Sequence, residues 1–126
     1  MSLDFSLHDH EATTHKCVCE ECGDVHFVER HELLFDGNIT HNLNGMANAA
    51  GIYDCLWRPD ENGITRAGQL TGPLAAGIKA LKADPAKFKK MNPENGWGDY
   101  AGLLRFAENV LAAATEHPEA TIGVCK

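Results

Sequence analysis

No stretch of this chain holds more than a few consecutive apolar residues, which removes a membrane-spanning segment and a signal-peptide core from consideration. Positive charge is scarce as well. Eleven Lys and Arg stand against eighteen Asp and Glu, for a formal net charge of −7. Nucleic acid and anionic membranes attract a positive field, so binding to either is not expected. Cysteine pairs spread along the chain are missing too. The five cysteines are an odd number, and three crowd into Cys17-Val18-Cys19-Glu20-Glu21-Cys22, which does not read as a secreted disulfide framework. Internal repeats, a glycine-rich phosphate loop, a GxSxG elbow and an HExxH pair are all absent. The expectation left standing is a soluble, acidic, cytoplasmic protein forming a single domain over residues 1–126. A chain of that length buries roughly two-thirds of its unfolded surface, enough for one ordinary core.

What is present divides in two. The first half is rich in His, Cys and carboxylates, the second in Ala, Gly and Leu. Leu3 to Leu7 alternates apolar and polar residues with period two, the pattern of a half-buried strand. Residues 8–14 read as a loop, residues 15–19 and 24–28 as two short strands, and residues 32–35 as an apolar run ended by an Asp36-Gly37 turn. From a Thr40 cap, Leu43, Met46, Ala47, Ala50, Tyr53 and Trp57 recur at helical spacing, predicting a helix over 41–57 that Pro59 stops. Gly45 and Gly51 weaken that helix by about 1 kcal/mol each. Thr65 caps a short turn through Leu70. Pro73 suits the first turn of a helix reaching Ala83. Asp84 caps a short helix from Pro85 that directs Phe88 and Met91 inward. After a loop at 92–99, Asp99 caps the strongest helix, 100–116, and residues 121–124 form a closing strand expected to pair with residues 3–7.

The cysteine cluster carries the clearest chemistry. Cys19-Glu20-Glu21-Cys22-Gly23 has the form of a zinc knuckle: two thiolates point into one tight turn, and the glycine accepts the backbone that lets amides face sulfur. Cys17 shares a face with Cys19 if the chain is extended, and His26 can return on the second arm of a hairpin. Cys17, Cys19, Cys22 and His26 thus make a candidate Zn2+ site within a hairpin at 15–31, with His15 and His31 as substitute ligands. The competing reading is a surface loop of reduced thiols. A redox CxxC is disfavoured, because the motif does not open a helix.

Other residues admit a functional and a structural role. His41 is a ligand or acid–base group, or a histidine hydrogen-bonded near a helix start. Arg58 grips an anion, or pairs with Asp60 or Glu61. Trp97 and Tyr100 form an interaction surface, or plug the core. Asp99 is best explained as a cap.

Asn38-Ile39-Thr40-His41-Asn42-Leu43, Ala50-Gly51-Ile52-Tyr53, Leu56-Trp57-Arg58-Pro59 and Asn92-Pro93-Glu94-Asn95-Gly96-Trp97-Gly98-Asp99-Tyr100 together resemble a family of small uncharacterised proteins of bacteriophages, prophages and bacterial genomes. The resemblance covers about residues 32–124. It implies a phage-related context and no activity, and it marks the cysteine segment as an insertion relative to shorter members.

The sequence therefore predicts an α+β fold. A small antiparallel sheet from the N-terminal strands and the C-terminal strand packs on two main helices, 41–57 and 100–116, with an N-terminal zinc-knuckle hairpin. Two functions compete. One is a non-enzymatic zinc-binding interaction protein that meets a protein partner through Trp57, Arg58, Trp97 and Tyr100. The other is a small-ligand binder or enzyme with a pocket near His41, Arg58 and Asp99. Nucleic-acid recognition by the hairpin is disfavoured, since Lys16 and Arg30 face Glu20, Glu21, Asp24 and Glu29.

Overall fold

Alternation in the first residues decides which side of the chain is covered. Leu3, Phe5 and Leu7 are fully buried, while the intervening Asp4 and Ser6 point the other way. A computed structural model describes residues 2–126, the side chains of Thr13 and His15 apart. Strands β1 (Ser2–Val18), β2 (Val25–Thr40) and β3 (Thr121–Cys125) form one antiparallel sheet in the order β2-β1-β3. β3 pairs with β1 from Asp4↔Cys125 to His8↔Thr121, as the alternation predicts.

The helices cover the apolar face of this sheet, giving the expected α+β fold. They are α1 (Asn44–Ala50), α2 (Tyr53–Trp57), α3 (Thr71–Ala83), α4 (Pro85–Lys89) and α5 (Tyr100–Glu116). α5 begins where the sequence places it, with Asp99 accepting the Gly102 amide at 2.7 Å. Its buried stripe of Tyr100, Leu103, Phe106, Ala107, Val110 and Ala114 faces the core shared with α3 and the sheet, and the Phe106 ring lies edge-on to Phe5 of β1.

Three expectations need correction. The helix predicted over 41–57 is divided into a 3-10 turn (His41–Leu43), α1 and α2. Gly51 is the cause: at φ 82° it adopts the left-handed conformation that ends α1, and the Ile52 amide turns back to the Ala47 carbonyl. The loop predicted at 8–14 and the turn at Asp36-Gly37 are both strand, because the β1–β2 ladder runs through them. Gly37 serves close approach: a β-carbon there would stand 3.1 Å from the Phe35 and Phe106 rings. Finally, Phe88 is buried as expected, but Met91 lies two residues beyond the end of α4 and is exposed.

The β1–β2 ladder outlasts its helical cover. Past His8↔Leu33 the register slips, and pairing resumes at Ala12↔His31 and continues to Val18↔Val25. The described side chains of residues 10–33 are exposed almost throughout, so this part of the hairpin is a two-stranded arm standing clear of the body.

Candidate functional site

The arm ends in the cysteine turn. The Cys19 amide donates to the Asp24 carbonyl at 2.8 Å, and the Gly23 amide donates to the Cys19 carbonyl at 2.9 Å. Gly23 takes φ 74°, the left-handed backbone anticipated for a knuckle. The Cys19 sulfur is hydrogen-bonded by the backbone N–H of Cys22, by the Cys22 thiol and by the backbone N–H of Glu21. In that order of effect these hold its thiol below the usual cysteine pKa, against the opposing effect of desolvation. Amides aimed at one sulfur and a second thiol beside it are what a metal-binding turn requires of its first two ligands.

The other two predicted ligands lie one step down the ladder. Cys17 stands directly across from His26, and period-two alternation puts both on the face to which Cys19 belongs. Among the described residues, no three His, Cys, Asp or Glu side chains are yet gathered as a metal-binding group. His31 is not a substitute. It pairs with Ala12, about 20 Å of strand from the tip, and its Nδ1 is 2.7 Å from the Asp9 carbonyl. The side chain of His15 lies outside those described.

The opposite face of the arm is apolar. Val18 and Val25 pair there, and Phe27 sits across from Lys16, 68% exposed. Leu33 falls on the same face by alternation along β2, while Val28, across from His15, falls on the cysteine face; all five of these large apolar side chains are in the open. Sequence reasoning missed this strip. Its signal was present in Val25-His26-Phe27-Val28, where apolar residues alternate next to charged neighbours with no second sheet to cover them.

The remaining predicted site residues are mostly engaged in structural contacts, two of them with each other. Trp57 is in the core, its indole N–H donating to His41 Nδ1 at 3.0 Å and its ring stacked on Tyr53. Tyr100 is also buried; its hydroxyl donates to the Leu81 carbonyl at 2.7 Å and its ring stacks on Phe88. Neither therefore belongs to an exposed binding surface, because each fills a gap between elements. Arg58 donates to the Tyr53 hydroxyl and to both oxygens of Glu61, which together push its pKa further up. Asp99 caps α5. Of the expected partner residues, Trp97 alone is an open aromatic, 67% exposed. His41, Arg58 and Asp99 are each engaged with other groups, His41 with Trp57, Arg58 with Tyr53 and Glu61, and Asp99 with the Gly102 amide, and none of them lines the four cavities of 300–380 Å³. The 380 Å³ cavity lies beside β3, with Pro59, Ile64, Ile122 and Val124 as its apolar wall.

No family model, curated protein or solved structure matches the chain. No helix among the described residues is long and apolar enough to cross a membrane.

Proposed function

We propose that this is a non-enzymatic, zinc-binding interaction protein of phage-related context, acting through its hairpin arm. The observation that carries the reading is the arm itself. Two strands leave the body, end in a turn whose amides converge on a cysteine sulfur, and carry uncovered apolar side chains on the reverse face. An isolated hairpin is marginal in water, so an ion at its tip supplies what the core does not reach. In this reading Cys19 and Cys22 hold Zn2+ from the knuckle, and side-chain rotation of Cys17 and His26 completes a Cys3His tetrahedron. The metal on one face fixes the shape of the apolar strip on the other. Reduced thiols suit the reducing cytoplasm, which is where the reading assigns the protein.

Elemental analysis of protein purified under reducing conditions tests the metal. The parent chain should carry about one equivalent of zinc, the number a single four-ligand site holds. Cys19→Ser and Cys22→Ser should each lose it. Metal content unchanged in both variants, or absent from the parent, ends the proposal.

A further inference from the structure

Among the described residues, the large apolar side chains left exposed fall into two groups. Five are on the arm (Val18, Val25, Phe27, Val28 and Leu33), and two, Met91 and Trp97, follow α4. The two groups differ in charge. Residues 9–33 hold seven carboxylates against Lys16 and Arg30, so these 25 residues carry −5 of the chain's −7. Residues 79–91 hold five exposed lysines against Asp84; Asp84 is engaged as the cap of α4 and Lys82 is paired with Glu108 of α5 at 2.9 Å, which leaves Lys79, Lys87, Lys89 and Lys90 as the basic surface. Only Glu94 and the cap Asp99 add negative charge before α5 begins.

The two groups also sit at opposite ends of the sheet. The Asn42 side chain donates to the Trp97 carbonyl, and Gly98 lies against Thr40, so the lysine-rich end abuts the point where β2 finishes. The arm tip is fifteen residues back along β2, on the order of 50 Å away. A chain cannot bring its own arm onto its own basic end.

We infer that two copies of this chain associate head to tail, the acidic apolar arm of each lying on the lysine-rich Met91–Trp97 end of the other. This rests on reading the arm as a binding element and names its partner. A second copy is the occupant because it supplies both requirements at once, an apolar surface and the opposite charge. Arm-on-arm pairing would set −5 against −5 and is opposed. A two-fold arrangement with the chains antiparallel closes the assembly through two equal contacts. Each contact then needs only about half of the 1,200–2,000 Å² of a stable interface. Phe27 and Trp97, at about 150–250 Å² apiece, supply a large share of it.

Sedimentation of the zinc-loaded full chain tests this. At low salt the species should have twice the monomer mass of 13.7 kDa, and added salt should dissociate it. Phe27→Ser and Trp97→Ser, both at exposed positions, should each raise the dimer Kd at least about tenfold. Mixing the two variants should restore association in part, to a Kd between those of the parent and of either variant alone, since one of the two contacts then joins an intact arm to an intact basic end while each variant alone has both contacts damaged. Arm-on-arm pairing allows no such rescue. A zinc-loaded chain that stays monomeric at low salt, or variants that fail to rescue one another, overturns self-association and leaves the metal site standing. A dimer that forms with rescue from protein in which elemental analysis finds no zinc overturns the metal site and leaves self-association standing.

Discussion

Two cysteines of the same chain face opposite chemistry. The Cys55 thiol donates to the Ile52 carbonyl inside the core, and burial pushes its pKa up to about 12 from the ordinary 9.0. Cys19, held by amides, is shifted down. Alkylation of the metal-free native protein near neutral pH should therefore modify Cys19 and leave Cys55 intact until denaturant is added; peptide mapping by mass spectrometry reads both. The same shift sets a pH dependence. Above about pH 9 the unfolded chain releases the Cys55 proton while the folded chain keeps it. Stability is thus fully present below pH 9 and falls as pH rises towards 12. Urea titrations across that window should show a decline that Cys55→Ala flattens. His41 belongs to the same scale. His41→Ala should leave the buried Trp57 indole N–H without its acceptor and cost about 1–3 kcal/mol, measured as a lower urea midpoint at unchanged slope. The sequence offered a hydrogen-bonded histidine at this position as one of two roles, and the donor sixteen residues away was illegible. The break at Gly51 sets where Trp57 arrives, and propensity counted Gly51 only as a weak helix residue.

At the scale of elements, the register slip between His8 and Ala12 separates what the core holds from what it does not. No residue from 9 to 33 is buried among those whose side chains are described. Replacing residues 9–32 by an Asn-Gly turn joins His8 directly to its partner Leu33 with a connection suited to antiparallel strands. The shortened chain should keep its circular dichroism and melt within a few degrees of the parent, as expected when no core contact is lost. The arm explains why the hairpin was only half legible. The tight turn at Cys19–Gly23, its left-handed glycine and the flanking strands follow from residue type and spacing. The segment 8–14 offers no apolar face to read, and it is strand because a partner strand pairs with it. Asp36-Gly37 has the chemistry of a turn, yet the ring of Phe106 needs the space that a glycine leaves. By contrast α5 and β3 were legible in full, since a cap, a stripe and a stop coincide at the first and strict alternation matches Leu3–Leu7 at the second.

The whole molecule is an apolar body with an acidic extension, and its two parts have separate sources of stability. Core residues from β1 and the helices sustain the body, while the arm depends on its ladder and on the proposed metal. Chelation should then leave the main melting transition in place and open the arm to proteases. Trypsin should cut the metal-free protein after Lys16 and Arg30, with zinc slowing both cuts and the body surviving as joined fragments on a gel run without denaturant. The fold class was readable at this scale because patterning suffices to decide which faces are covered. The polarity of the molecule was not, because it depends on which end of the sheet each charged segment reaches. The two tryptophans divide along the same line. Trp57 is sealed in the body and Trp97 is open at the lysine-rich end. The chain thus carries two intrinsic fluorophores on separate assignments: acrylamide quenching of the open indole follows occupancy of that end, and the red shift of the sealed one follows unfolding, with no dye attached to either.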